Sequence, residues 1–137
     1  MTPVFADTLH WIGLINPADQ WHAKAVAAGR ALGDVPLITT DEVLFEVLNA
    51  FAGAGPHSRR VAAQFVRRLI EDPDVEIVRR DWGLFLAALH LYERRPDQAY
   101  SLTDCSSMHV MRERRLLEVL THDRHFVHEG FITLIPD

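Results

Sequence analysis

The sequence predicts an α/β protein whose five-stranded parallel sheet is covered by helices on both faces. Five short apolar runs of strand length are separated by longer segments in which apolar residues repeat at helical spacing. Strands that alternate with helices form parallel sheets buried on both faces. No repeat, low-complexity segment or linker divides the 137 residues, so we expect a single domain, 1–137.

The chain begins with a strand and two helices. The apolar run PVFA, residues 3–6, stops at Asp-Thr and is the first strand. Apolar residues at helical spacing then predict a short helix over 8–15. After the turn NPAD, an Ala-rich segment over 20–32 is helical and ends at Gly33.

The second strand is also followed by two helices. VPLIT, residues 35–39, is apolar and short, which predicts a strand. Thr39 and Glu42 have the spacing of a capping box and open a helix that runs to about Ala52. The segment GAGP breaks this helix, and an amphipathic helix is expected over 58–71.

The last third of the chain completes the sheet. VEIV at 75–78 is the third strand, and a helix with an apolar face follows over 82–94. Thr103-Asp104 signals a helix start, and this helix is expected to reach about Arg115. LLEVL at 116–120 and FITLI at 131–135 are too short for helices and predict the fourth and fifth strands.

Composition limits the class of protein. The net charge of −5 gives no general attraction for nucleic acid, although an acidic pocket that binds metal ions accommodates phosphates. One cysteine, Cys105, excludes an internal disulfide and suits a reducing compartment. We expect neither a signal peptide nor a membrane span, and therefore a cytoplasmic location.

Acidic residues recur where the predicted strands end. Asp7 follows the first strand directly, and Asp123 follows the fourth within three residues. Asp104 starts the helix that leads into the fourth strand, and Glu46 lies one turn into the helix after the second strand. In parallel sheets, ligands bind beyond the carboxyl ends of the strands, where the strand order reverses. These four carboxylates are therefore candidates for one site.

Each acid taken alone has a simpler explanation. An aspartate at a helix start accepts a backbone N–H and suits the helix dipole. On a helical wheel, Val43, Leu44, Val47, Leu48 and Phe51 form the buried stripe, and Glu46 shares the opposite face with Glu42 and Asn49. Periodicity alone thus predicts that Glu46 is solvated.

Taken together the acids predict a metal site. Unit charges about 4 Å apart repel by about 4 kcal/mol at an effective dielectric constant near 20, so clustered carboxylates bind protons or recruit a cation. Carboxylates without a cysteine pair or clustered histidines favour Mg²⁺ or Mn²⁺. Such ions at a strand edge suit attack of water on a phosphodiester.

Other sites fit the residues less well. Leu9 stands where a haloacid-dehalogenase-type phosphatase needs a second aspartate, and no lysine follows the fifth strand as a response-regulator receiver requires. No glycine-rich phosphate loop is present. His122, His125 and His128 are a weak zinc signal, and Cys105 is expected to be a small buried residue.

Four segments, in this order and spacing, resemble the PIN domain: FADTLHWIGLIN, TTDEVLFEVLNAF, YSLTDCSSMHVMRER and VLTHDRHF. They are most similar to the VapC-type ribonuclease toxins of toxin–antitoxin pairs, and the resemblance covers essentially the whole chain. It implies a three-layer α/β/α sandwich, Mg²⁺ or Mn²⁺ dependence, cleavage of RNA, homodimerisation and inhibition by a small antitoxin.

Matched motif by motif, the resemblance implies an acidic catalytic and metal-binding site of Asp7, Glu46, Asp104 and Asp123. The resemblance therefore favours Glu46 as a site residue, in contrast to the helical wheel, which predicts that Glu46 is solvated. Thr8 and Ser107 match small hydroxyl positions near the site and are second-rank candidates. Leu9 departs from the pattern, because many relatives have serine there.

Two other functions stay open on this fold. One is a non-catalytic PIN-like scaffold that binds RNA, the ribosome or a partner protein. The four acids argue against it, because a pure binder gains nothing from clustered repulsive charge. The other is a structure-specific DNA nuclease, for which the short chain leaves little room to grip a duplex.

Arginine pairs are candidate phosphate contacts at 59/60, 67/68, 79/80, 94/95 and 114/115.

Overall fold

The structure is a computed structural model that describes residues 1–137. Its five strands are β1 (Val4–Ala6), β2 (Leu37–Thr40), β3 (Val75–Val78), β4 (Glu118–Leu120) and β5 (Ile132–Thr133). Its seven helices are α1 (Thr8–Ile15), α2 (His22–Leu32), α3 (Asp41–Ala50), α4 (Pro56–Glu71), α5 (Trp82–Arg94), α6 (Leu102–Glu113) and α7 (Arg124–His128).

All five strands are parallel and lie in the order β3-β2-β1-β4-β5. In β1, Phe5 lies opposite both Ile38 of β2 and Val119 of β4. All three residues of β1 are buried, as expected for the central strand of a sheet covered on both faces. The predicted parallel α/β fold is confirmed.

The strand order decides which face each helix covers. From β1 to β3 the chain moves one way across the sheet, and from β3 through β4 to β5 it moves the other way. The helical connections between parallel strands of one sheet are right-handed crossovers. Helices α1–α4 therefore cover one face of the sheet and α5–α7 cover the other. Contacts agree: α1 packs on α2, α3 and α4, while α5 packs on α6. The order reverses between β1 and β4, so the crevice expected to bind ligands opens there.

Several predicted boundaries are wrong. The fourth strand was expected from residue 116, but β4 starts at Glu118, because Arg115 turns the chain with φ 56° and the Leu116 N–H donates to Met111 O at 2.8 Å. Residues 116 and 117 thus close α6 before the strand begins. β5 likewise has two residues where 131–135 were expected.

Helix starts also differ from the predictions. α6 begins at Leu102 behind the N-cap Ser101, and not at Thr103-Asp104. The N-cap of α3 is Thr40, whose hydroxyl accepts from Val43 N–H, so the expected Thr39–Glu42 capping box does not form. Thr39 instead donates to Ala6 O and accepts from Trp11 Nε1. This hydroxyl therefore ties β2 to β1 and α1.

No helix of the structure combines the length and the apolar character that a membrane crossing requires.

The buried side chain of His10 predicts a pH-dependent stability. It is 1% exposed, its Nδ1 has no partner, and burial lowers its pKa from the ordinary 6.5 to about 4. Below pH 6.5 His10 is protonated in the unfolded chain, whereas in the folded protein it is protonated only below about pH 4. We therefore expect His10 alone to remove about 3 kcal/mol of stability between these pH values.

Urea unfolding from pH 7 to pH 4 measures this effect in wild type, in His10→Leu and in a control, His57→Leu, whose histidine is exposed. Between pH 7 and pH 4 the unfolding free energy of His10→Leu should lose about 3 kcal/mol less than that of wild type, and the control should follow wild type. Parallel curves for all three proteins contradict the assignment.

Candidate active site

A cavity of about 510 Å³ opens where the strand order reverses. Its lining includes all four predicted acids and a few small or apolar neighbours: Asp7, Thr8, Leu9, Glu46, Asn49, Ala50, Asp104 and Asp123. These acids come from the segment after β1, from α3, from α6 and from the segment after β4. Residues far apart in the chain therefore share one surface.

Asp7 is the most deeply placed acid. It precedes α1 but makes no capping hydrogen bond, and its side chain is buried. Thr121 Oγ1 donates to its Oδ2 at 3.1 Å. Burial, with the nearby charge of Asp104, raises the pKa of Asp7 from 3.8 to about 8. The Asp7 side chain therefore does not serve as a helix cap.

Glu46 lines the cavity and is not a solvated residue of an outer helix face. Thr8 Oγ1 donates to its Oε1 at 2.6 Å, which joins α3 to α1. Burial and the charge of Asp104 raise the pKa of Glu46, although the Thr8 hydrogen bond opposes the shift. The wheel-based prediction for this residue was wrong, because Glu46 faces α1 through Thr8, although Asn49 on the same polar face is exposed.

The same error affected two neighbours of Glu46. Glu42, expected on the solvated face, is buried and accepts a hydrogen bond from Ser106 Oγ at 2.9 Å. Leu48, expected in the buried stripe, is 38% exposed. The physical reason is that α3 packs against α1, α4 and α6 together, so it has no single inner face.

Asp104 is held by the start of its helix. Ser101 and Asp104 form a capping box, in which Asp104 Oδ2 accepts from Ser101 N–H at 3.1 Å and Ser101 Oγ accepts from Asp104 N–H at 2.9 Å. Burial and the charge of Asp123 raise the pKa of Asp104, while the Ser101 hydrogen bond opposes the shift. The expected capping role and a place in the cavity thus coexist.

Asp123 is the N-cap of α7 and accepts the His125 N–H through Oδ1 at 2.9 Å. Its own N–H donates to Thr121 Oγ1 at 3.1 Å. His125 Nδ1 lies 3.3 Å from Asp104 Oδ2 and 3.4 Å from Asp123 Oδ1. Ligand atoms of these three residues lie within 4.8 Å of one another, close enough to hold one metal ion.

Comparison with known proteins identifies the fold family. The PIN domain family model matches residues 4–131. The chain belongs to the PIN domain family. No protein with curated annotation matches it in a sequence comparison.

Among solved structures, the crystal structure of VapC20 from Mycobacterium tuberculosis, described as a sarcin-ricin loop cleaving toxin, matches this PIN domain with a TM-score of 0.85. The match covers 94% of this chain and 96% of VapC20 at 22% sequence identity. At this identity the likeness concerns the fold, and it confirms the PIN-like α/β sandwich.

The two second-rank candidates of this PIN domain differ in position. Thr8 lines the cavity and holds Glu46. Ser107 is fully buried, its Oγ has no partner, and it does not line the cavity. Cys105 is buried as expected, and burial raises the pKa of its thiol to about 11.

Sequence reasoning missed two residues of the site. Thr121 bridges Asp7 and Asp123, and its signal was the hydroxyl two positions before Asp123 in THDRHF. His125 was considered only as part of a weak zinc pattern. The structure separates that pattern, because His122 stacks on Trp21 at 3.7 Å between ring centroids and His128 is exposed.

Three of the arginine pairs are partly occupied by internal contacts. Arg59 Nη1 donates to Ala52 O at 2.7 Å. Arg95 Nε donates to Glu129 at 2.6 Å, and Arg114 pairs with Glu76. These three guanidinium groups serve the fold, so phosphate contacts are better sought among the other arginines.

The donor set fits a divalent cation. Oxygen ligands from Asp7, Glu46, Asp104 and Asp123 surround the cavity, and hard cations prefer such ligands. The raised pKa values of three of these acids show that their negative charges are disfavoured in the protein alone. A bound cation removes this penalty.

Proposed function

We propose that this PIN domain is a Mg²⁺- or Mn²⁺-dependent endoribonuclease, the toxin of a toxin–antitoxin pair. The observation that carries the proposal is the convergence of four carboxylates in one cavity at the reversal of strand order. The fold shared with VapC20, a sarcin-ricin loop cleaving toxin, supports RNA as the substrate. The proposed location is the cytoplasm.

Each acid has a role in this proposal. Asp7, Asp104 and Asp123 hold the cation, which when bound lowers the pKa of water and offsets negative charge on the scissile phosphate. Glu46, fixed by Thr8, is a further ligand or orients the attacking water. Thr121 keeps Asp7 and Asp123 at their places.

The test is cleavage of RNA by the purified protein in EDTA, in Mg²⁺ and in Mn²⁺. We expect cleavage with either cation and none in EDTA. A single-stranded DNA of the same sequence, measured in parallel, distinguishes a ribonuclease from a DNA nuclease. RNA binding without cleavage under all three conditions supports the scaffold instead.

The proposed partners are a second copy of the chain and a small inhibitory antitoxin. The outer side of α5 exposes large apolar side chains that recur every three or four residues: Trp82, Leu86, Leu89 and Tyr92. Contiguous apolar surface of this kind marks interaction sites. A symmetric dimer needs a patch that complements itself, which an uncharged apolar stripe provides. We assign the α5 stripe to the homodimer.

Leu86→Glu should therefore convert the dimer into a monomer, because it places two buried charges at a symmetric interface. Light scattering after size-exclusion chromatography measures the mass. The matched control is Leu117→Glu, a leucine outside α5 that is even more exposed than Leu86, and this variant should remain dimeric. A monomeric wild type, or a Leu86→Glu dimer of unchanged stability on dilution, contradicts the assignment.

A further inference from the structure

His125 places a ring nitrogen beside two acids of the cavity. Its Nδ1 lies within 3.4 Å of one carboxylate oxygen from Asp104 and one from Asp123. The two aspartates come from α6 and from the segment after β4, so the imidazole lies between elements that are separate in the chain. A side chain that only completes its own helix has no need to contact the other element.

The spacing of these atoms suits ligands of a single ion. Two ligands at right angles, each about 2.1 Å from an octahedral ion, lie about 3 Å apart. The two Nδ1–oxygen distances, 3.3 Å and 3.4 Å, are only slightly longer. Small movements of three side chains therefore bring all three atoms to one cation.

Contacts outside the cavity hold the imidazole in place. The ring of Tyr100 meets His125 edge to face, with 5.2 Å between centroids. Tyr100 Oη donates to Glu129 Oε1 at 3.1 Å, and Arg95 and Arg112 bind the same carboxylate at 2.6 Å each. The Glu129 side chain is only 3% exposed. Tyr100, which is itself held by Glu129, therefore restricts the rotation of the His125 ring.

From this geometry we propose that His125 is a metal ligand of the site, and that it makes the site prefer Mn²⁺ to Mg²⁺. The inference rests on the proposed metal-dependent function and deepens it. Mg²⁺ takes oxygen ligands almost exclusively, whereas imidazole nitrogen suits transition metals and is accepted by Mn²⁺ more readily than by Mg²⁺. The nitrogen therefore distinguishes two ions that carboxylates alone bind in similar fashion.

Pulsed electron paramagnetic resonance of the Mn²⁺ complex tests the proposal directly, because a coordinated imidazole couples its ¹⁴N nucleus to the electron spin. We expect this coupling in wild type and its absence in His125→Asn. Calorimetric titration should show Mn²⁺ affinity about 10- to 100-fold weaker in the variant, and Mg²⁺ affinity changed less than about threefold. His128→Asn, an exposed histidine of the same helix, is the matched control and should behave as wild type.

The presence of nitrogen coupling is tested on wild type alone and does not depend on the folding of a variant. His125→Gln serves as the second variant if His125→Asn does not fold. Mn²⁺ binding without nitrogen coupling, or coupling that persists in a folded His125 variant, overturns the assignment of His125. In either case RNA cleavage in Mn²⁺ still supports the proposed function. Wild type that binds Mg²⁺ but no Mn²⁺ overturns the assignment of His125 alone, and wild type that binds neither ion overturns both proposals.

Discussion

Asp104→Asn should abolish metal-dependent RNA cleavage and leave the protein folded. The variant removes a charge that lies between Asp7, Glu46 and Asp123, and so weakens cation binding at the centre of the site. Asparagine keeps the oxygen that accepts the Ser101 N–H, so the capping box of α6 loses little. We expect a loss of about a thousandfold or more in cleavage rate, equivalent to about 4 kcal/mol of transition-state stabilisation.

The measurement is the single-turnover cleavage rate at saturating Mg²⁺ and Mn²⁺, with circular dichroism as the check of folding. Asp34→Asn is the control, because Asp34 is an exposed aspartate that precedes β2. It therefore lies at the amino end of its strand, whereas the site lies beyond the carboxyl ends of the strands. This control variant should cleave at the wild-type rate. Undiminished cleavage by a folded Asp104→Asn protein removes Asp104 from the site.

Asp7→Asn should make the metal-free protein more stable while it also stops cleavage. Because the folded state holds Asp7 at a pKa of about 8 against 3.8 for the free side chain, the folded protein binds a proton that the unfolded chain lacks. The contribution of Asp7 to stability is therefore greatest below about pH 4 and falls as the pH rises towards 8. At pH 7 the difference amounts to about 4 kcal/mol, which asparagine, a neutral side chain of the same shape, relieves.

Thermal unfolding in EDTA at pH 7 should thus show a Tm about 10–15 °C higher for Asp7→Asn than for wild type. Saturating Mn²⁺ should raise the Tm of wild type, since a ligand at a hundred times its Kd adds about 2.7 kcal/mol, and should leave the variant nearly unchanged. A variant that is less stable than wild type in EDTA contradicts the burial of an unfavourable charge at this position.

Much of this fold is encoded locally, in features that a single sequence shows. Strands such as Val75–Val78 are short apolar runs between turn residues, and their alternation with helices fixes the parallel sheet. Asp7 and Asp123 were predictable as neighbours because each ends a strand of that sheet. Their actual proximity depends on the strand order, in which β1 and β4 are adjacent, and single-sequence patterns carry little information on strand order.

The remaining errors share a physical origin in tertiary contacts. Glu42 and Leu48 exchange their expected environments because α3 touches three other helices. α7, with five residues, lies in the polar segment after β4 and has no apolar periodicity long enough to detect. The role of Thr121 as a bridge, and that of His125 beside two acids, appear only when both ends of the site are assembled.

The central position of β1 has a consequence for synthesis. Asp7 and its partner Thr121 are 114 positions apart, and the neighbouring strand β4 ends at Leu120. Chains emerge from the ribosome in order, N-terminus first, so the acidic cavity stays incomplete until residues as far as Asp123 have been translated. A chain that stops before α6 lacks both Asp104 and Asp123 and cannot form the four-acid site. Assembly of the site therefore waits for α6 and β4 to join the first strand.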